Sequence, residues 1–269
     1  MGQVKRYGLS RRSYICIRDE HRRSYGGNQT WFPKEGTIEE HFTHEYGCGV
    51  IAITDLFLYW AMTRPNGGNT LAAGSIEAYN KISKEKYMSL VEEIRKRYAF
   101  IFASAGTFGL QLERAINSYA KDNNINCRAK LEMDLNDLTM LKRIQQSLDN
   151  NHPVILMVGH SFPLILSRLR KKGIPFYKQT RIFGTSIKNK DKPYACYEIA
   201  KKNIFGHFVT ITGMIIDAQS ERANEHIMLR IASWGSEYYI SYHHLRQYIN
   251  QMSMPYLTAV ITIEDKDEG

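Results

Sequence analysis

A chain of 269 residues, with 43% hydrophobic and 23% charged residues, has the composition of a globular protein with one sizeable core, or of two lobes packed around a shared cleft. Its four cysteines, Cys16, Cys48, Cys127 and Cys196, form no C-x-x-C pair, which argues against a zinc ribbon, a thioredoxin motif or a disulfide framework. The net charge of +9 (36 basic minus 27 acidic) favours anionic partners over cationic ones, and no apolar run reaches the roughly 18 residues of a membrane span, so none is expected.

Taken in chain order, residues 1–45 lack periodicity and read as an irregular N-terminal arm that wraps the domain. The arm carries Arg11, Arg12, Arg22 and Arg23 and no apolar h-region, so the expected location is cytoplasmic, or secreted if a signal has been removed. Cys48 to Thr63 reads as a helix ended by the breakers Arg64-Pro65-Asn66-Gly67-Gly68. Further helices are expected at Lys84–Ala99, Gly109–Lys121 and Asp134–Leu148, the last from Leu135, Leu138, Leu141 and Ile144 at three-residue intervals. Val154–Val158, His207–Ile216, Ile227–Ser233 and Tyr238–Tyr242 read as strands. A short helix at His243–Ile249 precedes a last strand at Tyr256–Ile263. Helices first and strands later imply an α+β fold, with a helical lobe over 46–150 and a sheet lobe over 151–269.

Between the Val154 and His207 strands lies an insertion over about 160–204. It is basic from Arg168 to Lys192: Arg168, Arg170, Lys171, Lys172, Lys178, Arg181, Lys188, Lys190 and Lys192. Such a run suits an anionic partner or, more ordinarily, a solvated face. Its length also suits a flap over a cleft.

The most informative stretch runs from Glu45 to Trp60. From Gly49 to Thr63 its only charged residue is Asp55, so the helix must be buried. It opens on a cysteine flanked by Gly47 and Gly49, which lets the backbone turn sharply and leaves room for a substrate. A thiol at a helix N-terminus feels the positive end of the dipole and the free N–H groups of the first turn. Both favour the thiolate, and the N–H groups suit an oxyanion. A free cysteine is otherwise a small buried hydrophobe. A nucleophilic cysteine needs a base, and of nine histidines His207 is best set: Gly206 precedes it and an apolar strand follows.

These segments together resemble the bacterial C39-like branch of the papain-like cysteine peptidases. Cys48-Gly49-x-x-Ala52 resembles the family's nucleophile helix. Asn151-His152-Pro153-Val154-Ile155-Leu156 is similar to the strand entering its active-site sheet. Gly206-His207-Phe208-Val209-Thr210-Ile211-Thr212-Gly213 is similar to its histidine strand, and Ser233-Trp234-Gly235 to the Ser-Trp-Gly after its third active-site residue. The resemblance covers about Tyr46 to Tyr242 in the family's order. It implies a single papain-like domain with a buried nucleophile helix packed on an antiparallel sheet. It further implies a hydrolase acting on a peptide or amide without a cofactor, with Cys48 as nucleophile and His207 as base. Trp234 then shields the histidine from water.

Two positions depart from the pattern. The family's Asn before Ser-Trp-Gly is Ala232 here, leaving Ser233 or Asp217 to orient the imidazole. The oxyanion-hole Gln six residues before the cysteine is Phe42, leaving His44, His41 or Gln29 as donors. These departures keep open a catalytically silent binding scaffold, and an acyltransferase would use the same residues. The spacing His41-x-x-His44-x-x-x-Cys48 also admits a zinc site.

Overall fold

The computed structural model describes residues 4–19, 22–102, 106–133, 136–159, 173–180, 196–217, 227–251 and 258–266. Among these residues it is a mixed α/β protein of six α-helices and a large antiparallel sheet. Strand β1 (Val4–Gly8) and short strands β2 (Ile17–Asp19) and β3 (Arg22–Arg23) come first, followed by a 3-10 turn at Gln29–Trp31. The N-terminal arm is thus built from defined elements, where the sequence lacked a periodic signal. They are too short to show one; β1 and β3 are held mainly by backbone pairing, while Tyr14, Ile15, Ile17 and Phe32 between and after them are buried in the core. Helix α1 (Ile38–Tyr46) starts at a capping box in which Thr37 and Glu40 satisfy each other's backbone N–H groups.

Helix α2 (Cys48–Thr63) has the expected bounds and meets α1 at an angle of 84° around Gly47. Every residue from Gly49 to Trp60 is buried, which accounts for its apolar character on all sides. Strand β4 (Ile82–Ser83) joins β2, and α3 (Lys84–Arg97) and α4 (Gly109–Asp122) flank α2. Phe57 of α2 stacks on Tyr119 of α4 with ring centroids 3.6 Å apart. Then follow β5 (Cys127–Met133), α5 (Asp137–Asp149), β6 (Val154–Val158), β7 (Ile174–Thr180) and β8 (Cys196–Ile204). The chain ends with β9 (His207–Asp217), β10 (Ile227–Ser233), β11 (Ser236–Ser241), α6 (Tyr242–Gln251) and β12 (Ala259–Asp265).

The large sheet runs β5-β12-β6-β9-β10-β11-β7-β8, and every pairing in it is antiparallel. One edge of β9 is shared. Its first half pairs with β6 (Val158 opposite His207), and its second half pairs with β1 (Val4 opposite Asp217). The expected division into a helical half and a sheet half is therefore only partial, because β1 and β5 come from the N-terminal half and join the sheet. The exposed/buried alternation of β5 is that of a strand, but its Cys-Arg-Ala-Lys-Leu-Glu-Met composition is not strand-rich. The insertion contributes β7 and β8, an antiparallel hairpin attached to β11 through Tyr239 and Tyr177. Of the basic run, Lys178 lies within the described residues. Arg168, Arg170, Lys171, Lys172, Arg181, Lys188, Lys190 and Lys192 lie outside them. Among the described residues no single helix is long and apolar enough to cross a membrane.

Candidate active site

Cys48 and His207 come from opposite layers, the tip of α2 and the first residue of β9, and line two adjoining cavities together. The larger, about 60 Å3, is also walled by Gly106, Thr107, Met157 and Gly159. The smaller, about 20 Å3, reaches down between α2 and the sheet to Asp55, Ala232 and Ser233.

Gly47 caps α2 without a side-chain hydrogen bond, so no capping side chain competes with the thiol for the first-turn N–H groups. The N–H groups of Cys48, Gly49 and Phe208 all act on the sulfur to favour its ionised form. Burial outweighs them and pushes the thiol above its ordinary range. The flanking glycines serve packing rather than access. A Cβ on Gly47 would lie 2.3 Å from the Thr43 carbonyl oxygen, and one on Gly49 would lie 1.9 Å from the Thr107 hydroxyl.

His207 is fixed from two sides. Its Nε2 lies 2.8 Å from Ser233 Oγ, and its ring stacks on Trp234 with centroids 4.1 Å apart and planes 10° from parallel. The β10–β11 hairpin makes this possible. Ser233 pairs with Ser236 around a two-residue turn in which Trp234 (φ 47°) and Gly235 (φ 68°) both have positive φ, the type I′ geometry that suits strand twist. Burial, aided by the Lys201 charge, lowers the His207 pKa to about 3. Both members of the pair are therefore neutral at rest, and among the described residues no hydrogen bond joins them directly. Such bonds often tighten only when substrate arrives.

Of the five residues named as orienting or oxyanion candidates beside Trp234, two reach the site, and His41, which lines neither cavity, is not among them. Ser233 does, as the His207 partner. Gln29 does, buried and lining both cavities, with Nε2 donating to the His44 and Glu45 carbonyls at 2.8 and 3.2 Å. Asp217 does not, because it ends the strand that His207 begins. Ten residues of extended chain separate them, roughly 33 Å at 3.3 Å per residue. His44 does not, because its Nδ1 engages the Phe32 carbonyl at 2.7 Å and its ring lines neither cavity. Nor do His41, His44 and Cys48 gather around a common point. His41 Nδ1 engages the Lys34 carbonyl at 3.0 Å, and among the described residues no group of three His, Cys, Asp or Glu has metal-holding geometry.

Sequence reasoning missed the insertion's contribution. Lys201 of β8 lies 4.8 Å from the Trp234 ring centroid, and Phe176 of β7 packs 5.8 Å from the same ring. Nothing in their local sequence marks them, because only strand pairing brings them here. It also passed over Asp55 as a site residue, although a single carboxylate two turns beyond Cys48 on an apolar helix was a visible signal.

No family model, curated protein or solved structure matches the chain.

Proposed function

We propose that the chain is a papain-like cysteine hydrolase that transfers the acyl group of a peptide or amide through Cys48. The observation that carries this is the thiol at the free N-terminus of a buried helix, sharing a cavity with an imidazole held by Ser233 and Trp234. Since Ser233 engages Nε2, Nδ1 is the nitrogen left to take the thiol proton. The sulfur then attacks the carbonyl carbon. The negative charge gathering on the carbonyl oxygen is met by the Cys48 backbone N–H and by Gln29 Nε2, whose 3.2 Å bond to Glu45 is the weaker of its two. His207 returns the proton to the departing amine as the C–N bond breaks, leaving a thioester; it then draws a proton from the attacking water and passes it to the Cys48 sulfur as the C–S bond breaks and the acid leaves. Withholding both charges until substrate arrives suits a buried imidazole and a partly buried thiol, because each ion is then formed beside its counter-ion.

Ser233 supports the enzyme over a silent scaffold. The family resemblance asks for an orienting group at Ala232, and the adjacent hydroxyl meets the same imidazole. Gln29 supports it likewise, offering an amide where Phe42 cannot. Alkylation by iodoacetamide tests the proposal. The expected result is modification concentrated at Cys48, abolished in Cys48→Ala and slowed at least 10-fold in His207→Ala. Hydrolysis of p-nitrophenyl acetate is expected to be lost in both variants. Labelling indifferent to His207 would overturn the proposal.

A further inference from the structure

Asp55 is the charged residue of the buried helix, 2% exposed, and the chemistry above leaves it unused. Among the described residues no cation pairs with its carboxylate. Both oxygens accept the Gly27 backbone N–H, at 3.1 and 3.0 Å, and Oδ1 also accepts the Tyr87 hydroxyl at 2.8 Å. The Gly26–Gly27 turn is seated against these groups without slack. Gly26 has φ +77°, and a Cβ there would lie 2.5 Å from Asp55 Oδ2. A Cβ on Gly27 would lie 1.8 Å from the Tyr87 hydroxyl oxygen.

Two strands of the site leave from this turn. In one direction Gly27 leads through Asn28, which caps the 3-10 turn, to Gln29. In the other, the Gly27 carbonyl accepts the Gly235 N–H at 2.8 Å, and the Gly235 carbonyl accepts the Tyr25 N–H at 2.9 Å. These bonds tie the segment to the hairpin turn that carries Ser233 and Trp234. Resting on the acyl-transfer proposal, we infer that Asp55 is a positioning residue which, by anchoring Gly27, sets at once the Gln29 amide and the Ser233–Trp234 turn around the Cys48–His207 pair. A residue serving α2 packing alone would be apolar. A carboxylate accepts the Gly27 N–H on both oxygens and Tyr87 as well, whereas an amide in its place sets an NH2 donor against one of these donors.

Burial raises the Asp55 pKa to about 7. The groups facing it are Tyr87 from α3, Tyr14 from the N-terminal segment and, across the smaller cavity, neutral His207. None of these is a cation at neutral pH. A carboxyl whose pKa rises on folding stabilises the fold below its unfolded value near 4 and loses that contribution as pH rises through about 7. Above that pH the ion is a burden on the fold.

The isosteric Asp55→Asn variant separates function from stability. At pH 8 its thermal midpoint is expected to equal or exceed that of the wild type, because the buried ion is gone. The kcat for p-nitrophenyl acetate is expected to fall 10- to 100-fold with KM within about 3-fold. Iodoacetamide alkylation of Cys48, which forms no oxyanion, is expected to fall far less. Amide hydrogen exchange at Gly27 and Gly235 is expected to quicken at least 10-fold while the α2 interior stays protected. An unchanged kcat together with unchanged exchange at Gly27 and Gly235 overturns the inference. A wild type that neither alkylates at Cys48 nor turns over the ester sinks the acyl-transfer proposal instead. The exchange at Gly235 then still decides whether Asp55 anchors the turn.

Discussion

At the scale of single residues, Trp234 is among the groups that bury His207. Its indole covers one face of the imidazole, and its positive φ is imposed by the hairpin turn, so both ring position and backbone are set together. With the His207 pKa lowered to about 3, its ring signal is expected not to titrate between pH 5 and 8 in a proton NMR series. A histidine depressed in the fold contributes stability that is fully present above its unfolded pKa near 6.5 and is lost as pH falls toward about 3. Trp234→Asn opens the ring to water while keeping a residue that tolerates left-handed backbone. The midpoint is then expected to rise by a unit or more toward 6.5. A wild-type ring that titrates near 6.5 would show that water already reaches it.

The elements explain why the thiol stands where it does. The 84° corner between α1 and α2 points the α2 N-terminus at the beginning of β9, and packing around α2 holds that aim. Phe57 is fully buried and stacked on Tyr119, with Trp60 and Tyr98 around it. Phe57→Ala is expected to destabilise the fold by about 3–5 kcal/mol, through lost transfer energy and the cavity left behind, as read by urea denaturation. A loss below about 1 kcal/mol would show that α4 collapses into the gap. α2 was legible in the sequence because a run apolar but for Asp55, between a Gly-Cys-Gly start and a Pro-Asn-Gly-Gly stop, reads as one buried helix. β6 and β10 were equally clear, as short, largely apolar runs whose bounds match the expected ones. β7 and β8 were not. Pro175 and the lysines of both strands disguise an outer pair that joins the sheet only through β11.

At the scale of the whole molecule, β9 is the axis. It begins at the site and ends, under β1, on the far side of the sheet. Removing residues 1–8 is expected to leave the outer half of β9 as an unpaired edge. Expected consequences are a thermal midpoint lower by roughly 5 °C, from a few kcal/mol of lost pairing, and concentration-dependent association measured by light scattering. The cavities around Cys48 should be untouched, so alkylation of that residue should keep its wild-type rate below the new midpoint. A deletion that left the midpoint in place would show that β1 merely rests on the sheet.

The linear chain alone determined those features whose cause is local. These are the buried helix opening on Cys48, the strand opening on His207, and the turn chemistry of Ser233-Trp234-Gly235. Tertiary structure decided which of several donors and acceptors met them. It chose Ser233 over Asp217, because ten residues of strand carry the aspartate out of reach, and Gln29 over His44, because a helix turns that imidazole toward Phe32. It also gave Lys201, Phe176 and Asp55 their places at the site. Periodicity reports which side of its own element a residue occupies. The distance between elements is set by how their side chains pack and their strands pair, and that information is spread over the whole chain.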